Sequence, residues 1–200
     1  MTVRVTPGFF LTVVLYYIAQ RAGLFWWVVS AVLLHELGHT AVIYACGGWV
    51  EGITLGAGGF CMDYDGDFSA RQELSIALAG PAANLLCAFV CAVLYRRGAD
   101  AFSCAAGVHA LLAFWNLLPI RGFDGGSVLS GLLYAFLPWK RAHLLFSRIS
   151  LFFSCGILIF GLYIALKTRY NISVFCLGLG LTARSILSDF SDKRICRWIV

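Results

Sequence analysis

His35-Glu36-Leu37-Gly38-His39 is the segment of this 200-residue chain with the clearest capacity for chemistry. On a helix, the i, i+4 spacing brings both imidazoles to one face. There they can hold a single Zn²⁺, with the glutamate beside the metal as general base. The segment lies inside an apolar run from Leu24 to Ala45. Two histidines and an acid are costly there unless a strong partner such as a metal compensates. A polar cluster that merely packs helices is the plainer alternative. A catalytic zinc also needs a third protein ligand and an open fourth position. Around Cys46 there is no HxxGxxH continuation to supply that ligand. Glu51 falls at the entry to a glycine-rich stretch and Glu73 at the end of an apolar run, so Asp124 is the stronger candidate. It follows Asn-Leu-Leu-Pro-Ile-Arg-Gly-Phe and precedes Gly125-Gly126, where Pro119 interrupts an apolar run. Irregular backbone at membrane depth is tolerated only where it is buried or lines a wet cavity. The alternative for Asp124 is a helix N-cap.

Composition defines the medium these residues work in. The chain is 60% hydrophobic and 12% charged, with mean hydropathy +0.84. Soluble domains run at about 45–50% apolar and about 25% charged. An ordinary soluble domain is therefore excluded, and the long apolar runs indicate a polytopic membrane protein. With only 10 carboxylates in the chain, any acid inside an apolar run is a functional candidate. The net charge of +5 comes from basic residues that flank apolar segments. That pattern suits anchoring at a membrane and argues against nucleic acid as a partner. The 8 cysteines form no CxxC pair and read as reduced, small apolar residues.

Six spans are expected to position the site: Gly8 to Gln20, Leu24 to Ala45, Glu73 to Tyr95, Cys104 to Leu118 (resuming after Asp124 as far as Leu137), His143 to Leu166, and Ile172 to Leu187. The first lacks a signal-peptidase site and reads as a retained, short span. Ten of the 15 Lys and Arg fall on the side of the termini, so both termini are expected in the cytoplasm. The second and fourth spans then run toward that side, and both halves of the proposed site fall near the cytoplasmic face. Between spans two and three, the stretch from Gly47 to Gln72 is too rich in glycine for a helix and reads as a small membrane-associated β-hairpin. His109 shares a helical face with Asn116; it reads first as a helix-packing histidine, with a group that supports the metal site from behind as the alternative.

Taken together, His-Glu-Leu-Gly-His in an early span and Asn-Leu-Leu-Pro-Ile-Arg-Gly-Phe-Asp-Gly-Gly in a later one resemble the site-2 protease family of intramembrane zinc metalloproteases. Phe114 to Gly126, followed by Pro138-Trp139-Lys140-Arg141-Ala142-His143, is most similar to the branch typified by stage IV sporulation protein FB. The glycine hairpin and Ala79-Gly80-Pro81-Ala82-Ala83-Asn84 also fit the family plan, while Arg121-Gly122-Phe123 departs from its usual proline-rich stretch. The resemblance implies one Zn²⁺ per chain on His35, His39 and Asp124, with Glu36 taking a proton from the attacking water. It implies substrate-backbone or oxyanion contacts for Asn116 and Asn84, with helix–helix hydrogen bonding as the alternative, above all for Asn84. The hairpin, with Gly58 and Gly59 at its turn, is expected to hold an extended substrate segment by strand addition. On this reading residues 1–200 form one intramembrane protease domain, in which residues 188–200 are a short basic cytoplasmic tail. The domain sits in a bacterial cytoplasmic membrane. Its substrates are membrane-embedded or membrane-tethered precursors, such as a pro-sigma factor during sporulation, and an inhibitory membrane partner is compatible with it. A catalytically silent zinc-binding relative that only holds substrates is the alternative.

Overall fold

A computed structural model describes residues 2–5, 22–56, 59–169 and 172–190. The chain divides into two compact units, Met1–Asn116 and Leu117–Val200. The expected first span, from Gly8 to Gln20, and the tail beyond residue 190 lie outside the described residues.

In the first unit, strand β1 (Thr2–Val5) is followed by helix α1 (Ala22–Ala45), strands β2 (Trp49–Gly56) and β3 (Gly59–Asp65), and helices α2 (Ala70–Arg96) and α3 (Phe102–Asn116). The expected hairpin is present as β2 and β3, paired antiparallel from Trp49↔Asp65 to Gly56↔Gly59, with a register shift between Val50 and Gly52. It belongs to a three-stranded sheet, because β1 adds in parallel to β2 from Thr2↔Gly52 to Val5↔Leu55. Ile43, Val50 and Ile76 form a buried cluster on which Val42, Ile53, Met62 and Phe68 pack. The cluster ties the sheet to α1 one turn beyond His39 and to the start of α2. A capping box starts α2: Gln72 N–H donates to Ser69 Oγ, and Ser69 N–H donates to Gln72 Oε1.

α1 and α2 approach closely because small residues meet at their crossing. A Cβ on Gly38 would stand 2.7 Å from the Ala79 carbonyl oxygen and 3.0 Å from Ala83 Cβ. Membrane helices associate without a hydrophobic drive between them, so backbone contact of this kind does much of the packing.

The second unit contains α4 (Asp124–Phe136), α5 (Trp139–Thr168) and α6 (Ser173–Phe190). Its helices pack through hydroxyls: buried Ser185 Oγ lies 3.2 Å from Ser150 Oγ and 3.3 Å from Ser154 Oγ.

Among the described residues, three helices are long and apolar enough to cross a membrane: Leu24–Ala45, Ala70–Arg96 and Trp139–Thr168. These correspond to the second, third and fifth expected spans. Large apolar side chains on them face outward, including Trp26, Phe152 and Leu166, as lipid contact requires. Helices of this length and surface make the chain an integral membrane protein. Six full spans are not seen among the described residues. The expected fourth span is two helices, Phe102–Asn116 of 15 residues and Asp124–Phe136 of 13, separated by the turn that holds Pro119. At 1.5 Å per residue each is shorter than a hydrocarbon core of about 30 Å. The sixth is Ser173–Leu187, also short.

Candidate metal centre

His35 and His39 sit one turn apart on α1, and their Nε2 atoms lie 3.2 Å from each other. His35 is buried and His39 half-buried. The outer nitrogen of each ring is engaged. His39 Nδ1–H donates to the Ile76 carbonyl at 2.7 Å, which fixes its tautomer and leaves a lone pair on Nε2. His35 Nδ1 lies 3.1 Å from the amide of Asn84. Held this way, two imidazoles direct neighbouring nitrogens into one space, which suits a shared cation.

Gly80 keeps that space open. A Cβ there would overlap His39 Nε2 and stand 2.8 Å from His35 Cε1. Any other residue would therefore push its first carbon into the place where the two Nε2 atoms converge. The donor set and this opening fit a zinc ion. Glu36 lies between the two histidines in sequence, half-buried, and its backbone carbonyl accepts from Thr40 Oγ at 2.8 Å.

The other expected site residues fall in several places. Asn84 is fully buried, with its Nδ2 toward His35 and its Oδ1 3.0 Å from His109 Nδ1. Its amide is thus occupied by two histidines. Asn116, the last residue of α3, donates from Nδ2 to the Leu112 carbonyl at 3.0 Å. Gly59 opens β3, whereas Gly58 lies outside the described residues.

Asp124 belongs to the second unit, where it is the first residue of α4. The N-cap position falls to Phe123, with no side-chain cap bond, so the capping alternative for Asp124 is not what the structure shows. As an acid in the first turn, Asp124 still benefits from the helix dipole. The turn before it folds tightly onto the helix start. Cβ atoms on Gly125 and Gly126 would overlap the carbonyl oxygens of Leu117 and Ile120. Gly122 has φ +93°, a conformation L side chains rarely adopt. Arg121, at the departure from the family pattern, is anchored on α5. Its backbone N–H donates to Ser150 Oγ at 2.9 Å and its Nη2 to Ser147 Oγ at 3.1 Å, and its guanidinium lies 5.2 Å from the Phe146 ring centre.

Two contributors were missed in the sequence, the opening at Gly80 and the Ile76 carbonyl, and for His109 the structure supports the alternative of a group behind the site, as a partner of Asn84. The run Ala79-Gly80-Pro81, opposite Gly38 on α1, was the available signal for a close helix crossing.

The fold so described is that of a site-2 protease. The solved structure titled "Site-2 Protease from Methanocaldococcus jannaschii" superposes with a TM-score of 0.67, covering 92% of this chain and 89% of that one at 22% identity. No profile of a known protein family matches the sequence. Among curated proteins, stage IV sporulation protein FB of Bacillus subtilis is 27% identical over 167 residues, covering 81% of this chain and 57% of that protein. A Methanocaldococcus jannaschii protein named "Putative zinc metalloprotease MJ0611" is 32% identical over 130 residues, covering 51% of this chain and 66% of that protein. The chain thus spans little more than half the length of the Bacillus protein. By these comparisons the chain is similar to site-2 proteases and, among curated proteins, to stage IV sporulation protein FB and to proteins named as putative zinc metalloproteases.

Proposed function

We propose that the chain is an intramembrane zinc metalloendopeptidase, with His35, His39 and Asp124 holding one zinc ion and Glu36 acting as general base. The observation that carries this reading is the convergence of the two Nε2 atoms, 3.2 Å apart on an apolar helix, over a face that Gly80 leaves open. Zinc bound there would acidify a water molecule and polarise a peptide carbonyl.

The chain's own groups do the rest. The Ile76 carbonyl holds the His39 ring in the tautomer a ligand needs. Glu36, adjacent to His35 in the chain, accepts the proton of the attacking water and returns it to the leaving amine. A substrate helix hides its carbonyls in its own hydrogen bonds, so cleavage requires an extended segment. The small sheet next to His39 is suited to receive one as an added strand, and Gly58 and Gly59 are proposed to contact it. Asn116 is proposed to contact the substrate backbone there. Substrates are membrane-embedded or membrane-tethered precursors cut near the cytoplasmic face. A pro-sigma factor is the specific candidate, since the relative from Bacillus is named for sporulation. Both termini are proposed to lie in the cytoplasm of a bacterial cell.

Competition with a chelator tests the ligand set. Asp124→Ala is expected to weaken zinc binding by more than ~100-fold, beyond the ~10–100-fold typical when a group bonded to a ligand is lost. Native affinity in a folded Asp124→Ala chain would remove Asp124 from the set.

A further inference from the structure

Behind His35 runs a chain of polar groups, buried at Asn84 and His109 and half-buried at Cys87, that the zinc reading leaves unused. Asn84 lies between His35 Nδ1 at 3.1 Å and His109 Nδ1 at 3.0 Å. His109 Nε2 in turn lies 3.4 Å from Cys87 Sγ, and Cys87 Sγ lies 4.0 Å from Cys91 Sγ. Asn84 is 0% exposed and His109 3% exposed. The groups come from α1, α2 and α3, so three helices of one unit meet at this line.

The line can be satisfied in two directions with every group neutral. In one, the Asn84 Nδ2–H donates to His35 Nδ1, His109 Nδ1–H donates to Asn84 Oδ1, and the Cys87 thiol donates to His109 Nε2. His35 then carries its hydrogen on Nε2 and spends it on His39. In the other, the amide is turned over, which costs little sterically because its two ends have nearly the same shape. His35 Nδ1–H donates to Asn84 Oδ1, Asn84 Nδ2–H donates to His109 Nδ1, and His109 Nε2–H donates to Cys87 Sγ. Only this second direction leaves a lone pair on His35 Nε2. A ligand histidine needs its far nitrogen to be a donor with a fixed partner.

We propose that Asn84 and His109 are positioning residues for the metal. The Asn84 amide couples the tautomer of His35 to that of His109, so that metal on His35 Nε2 sets His109 as the Nε2–H form against Cys87. The proposal rests on His35 being a zinc ligand. It assigns to Asn84 a role through His35, in place of contact with substrate.

The chain has four histidines, which keeps selective ¹⁵N-imidazole spectra of the detergent-purified protein tractable. In the zinc-loaded native chain, His109 is expected as the Nε2–H tautomer; the Nδ1–H tautomer would overturn the coupling. Asn84→Leu is expected to weaken zinc binding by about 10–100-fold, as for other groups bonded to a ligand histidine. Native affinity in that variant would also overturn it. Asn84→Asp separates positioning from packing and serves if the leucine variant does not fold. A carboxylate accepts from both rings, so zinc affinity is expected within a few-fold of native while His109 changes to Nδ1–H. His109 remaining Nε2–H in the Asn84→Asp chain would contradict the proposal. A native chain that takes up no zinc would overturn the ligand assignment of His35, and this proposal with it.

Discussion

The Glu36→Gln chain is expected to bind zinc as tightly as the native chain and to cleave its substrate about 10²–10⁴-fold more slowly, the range that removal of a positioned general base produces. Glutamine keeps the size and hydrogen-bonding reach of the side chain but cannot take a proton from water. Glu36 follows His35 on α1 and is half-buried, and the substitution leaves both imidazoles in the chain. Paired measurements of zinc content and cleavage separate the two readings that share this ligand set. A silent zinc-binding protein would show no difference between native and Glu36→Gln chains. Cleavage at the native rate by a zinc-loaded Glu36→Gln chain would remove Glu36 from the chemistry.

The second large effect is expected from a single methyl group. Gly80→Ala places a carbon against His39 Nε2 and His35 Cε1, the atoms around the proposed zinc position. The α2 backbone is held by the α1 crossing, where Gly38 already faces the Ala79 carbonyl without room to spare. The imidazoles must therefore give way. A displacement of the order of 1 Å in a catalytic constellation costs about 10²-fold, and a loss of that order is expected in both zinc affinity and cleavage. Gly107→Ala is the matched control. It lies within α3 of the same unit, and its added carbon meets nothing within 4 Å. Alanine also favours helix by up to about 1 kcal/mol over glycine. Equal zinc affinity in the Gly80→Ala and Gly107→Ala chains would show that Gly80 does not shape the site.

Both expectations draw on contacts that the sequence disclosed unequally. His35, Glu36 and His39 could be read directly, because a helix converts i, i+4 spacing into a shared face without help from the rest of the fold. The hairpin was legible for the same local reason: glycines between two apolar segments. What depended on distant pairing was not. β1 joins β2 in parallel, a contact that needs a long crossover and leaves no mark in four residues of sequence. His109 meets Asn84 25 residues away, and Asn84 meets His35 49 residues away. In the sequence each was a lone polar residue in an apolar run, so helix packing stood open for both, and substrate contact for Asn84 came only from the family resemblance. Pro119 marked a break in the fourth apolar run. However, only the structure shows that the two pieces are separate short helices joined by a turn that Arg121 and Gly122 hold in place.

Metal dependence of cleavage is the most direct measurement of the central claim. The native chain, reconstituted in vesicles with a membrane-tethered precursor, would be followed before chelation, after chelation, and after zinc is returned. Cleavage is expected to stop with the chelator and to resume with zinc, and a Glu36→Gln chain is expected to stay inactive throughout. Cleavage that persists in chelator, or that proceeds equally in the Glu36→Gln chain, would contradict a zinc peptidase built on His35, Glu36 and His39.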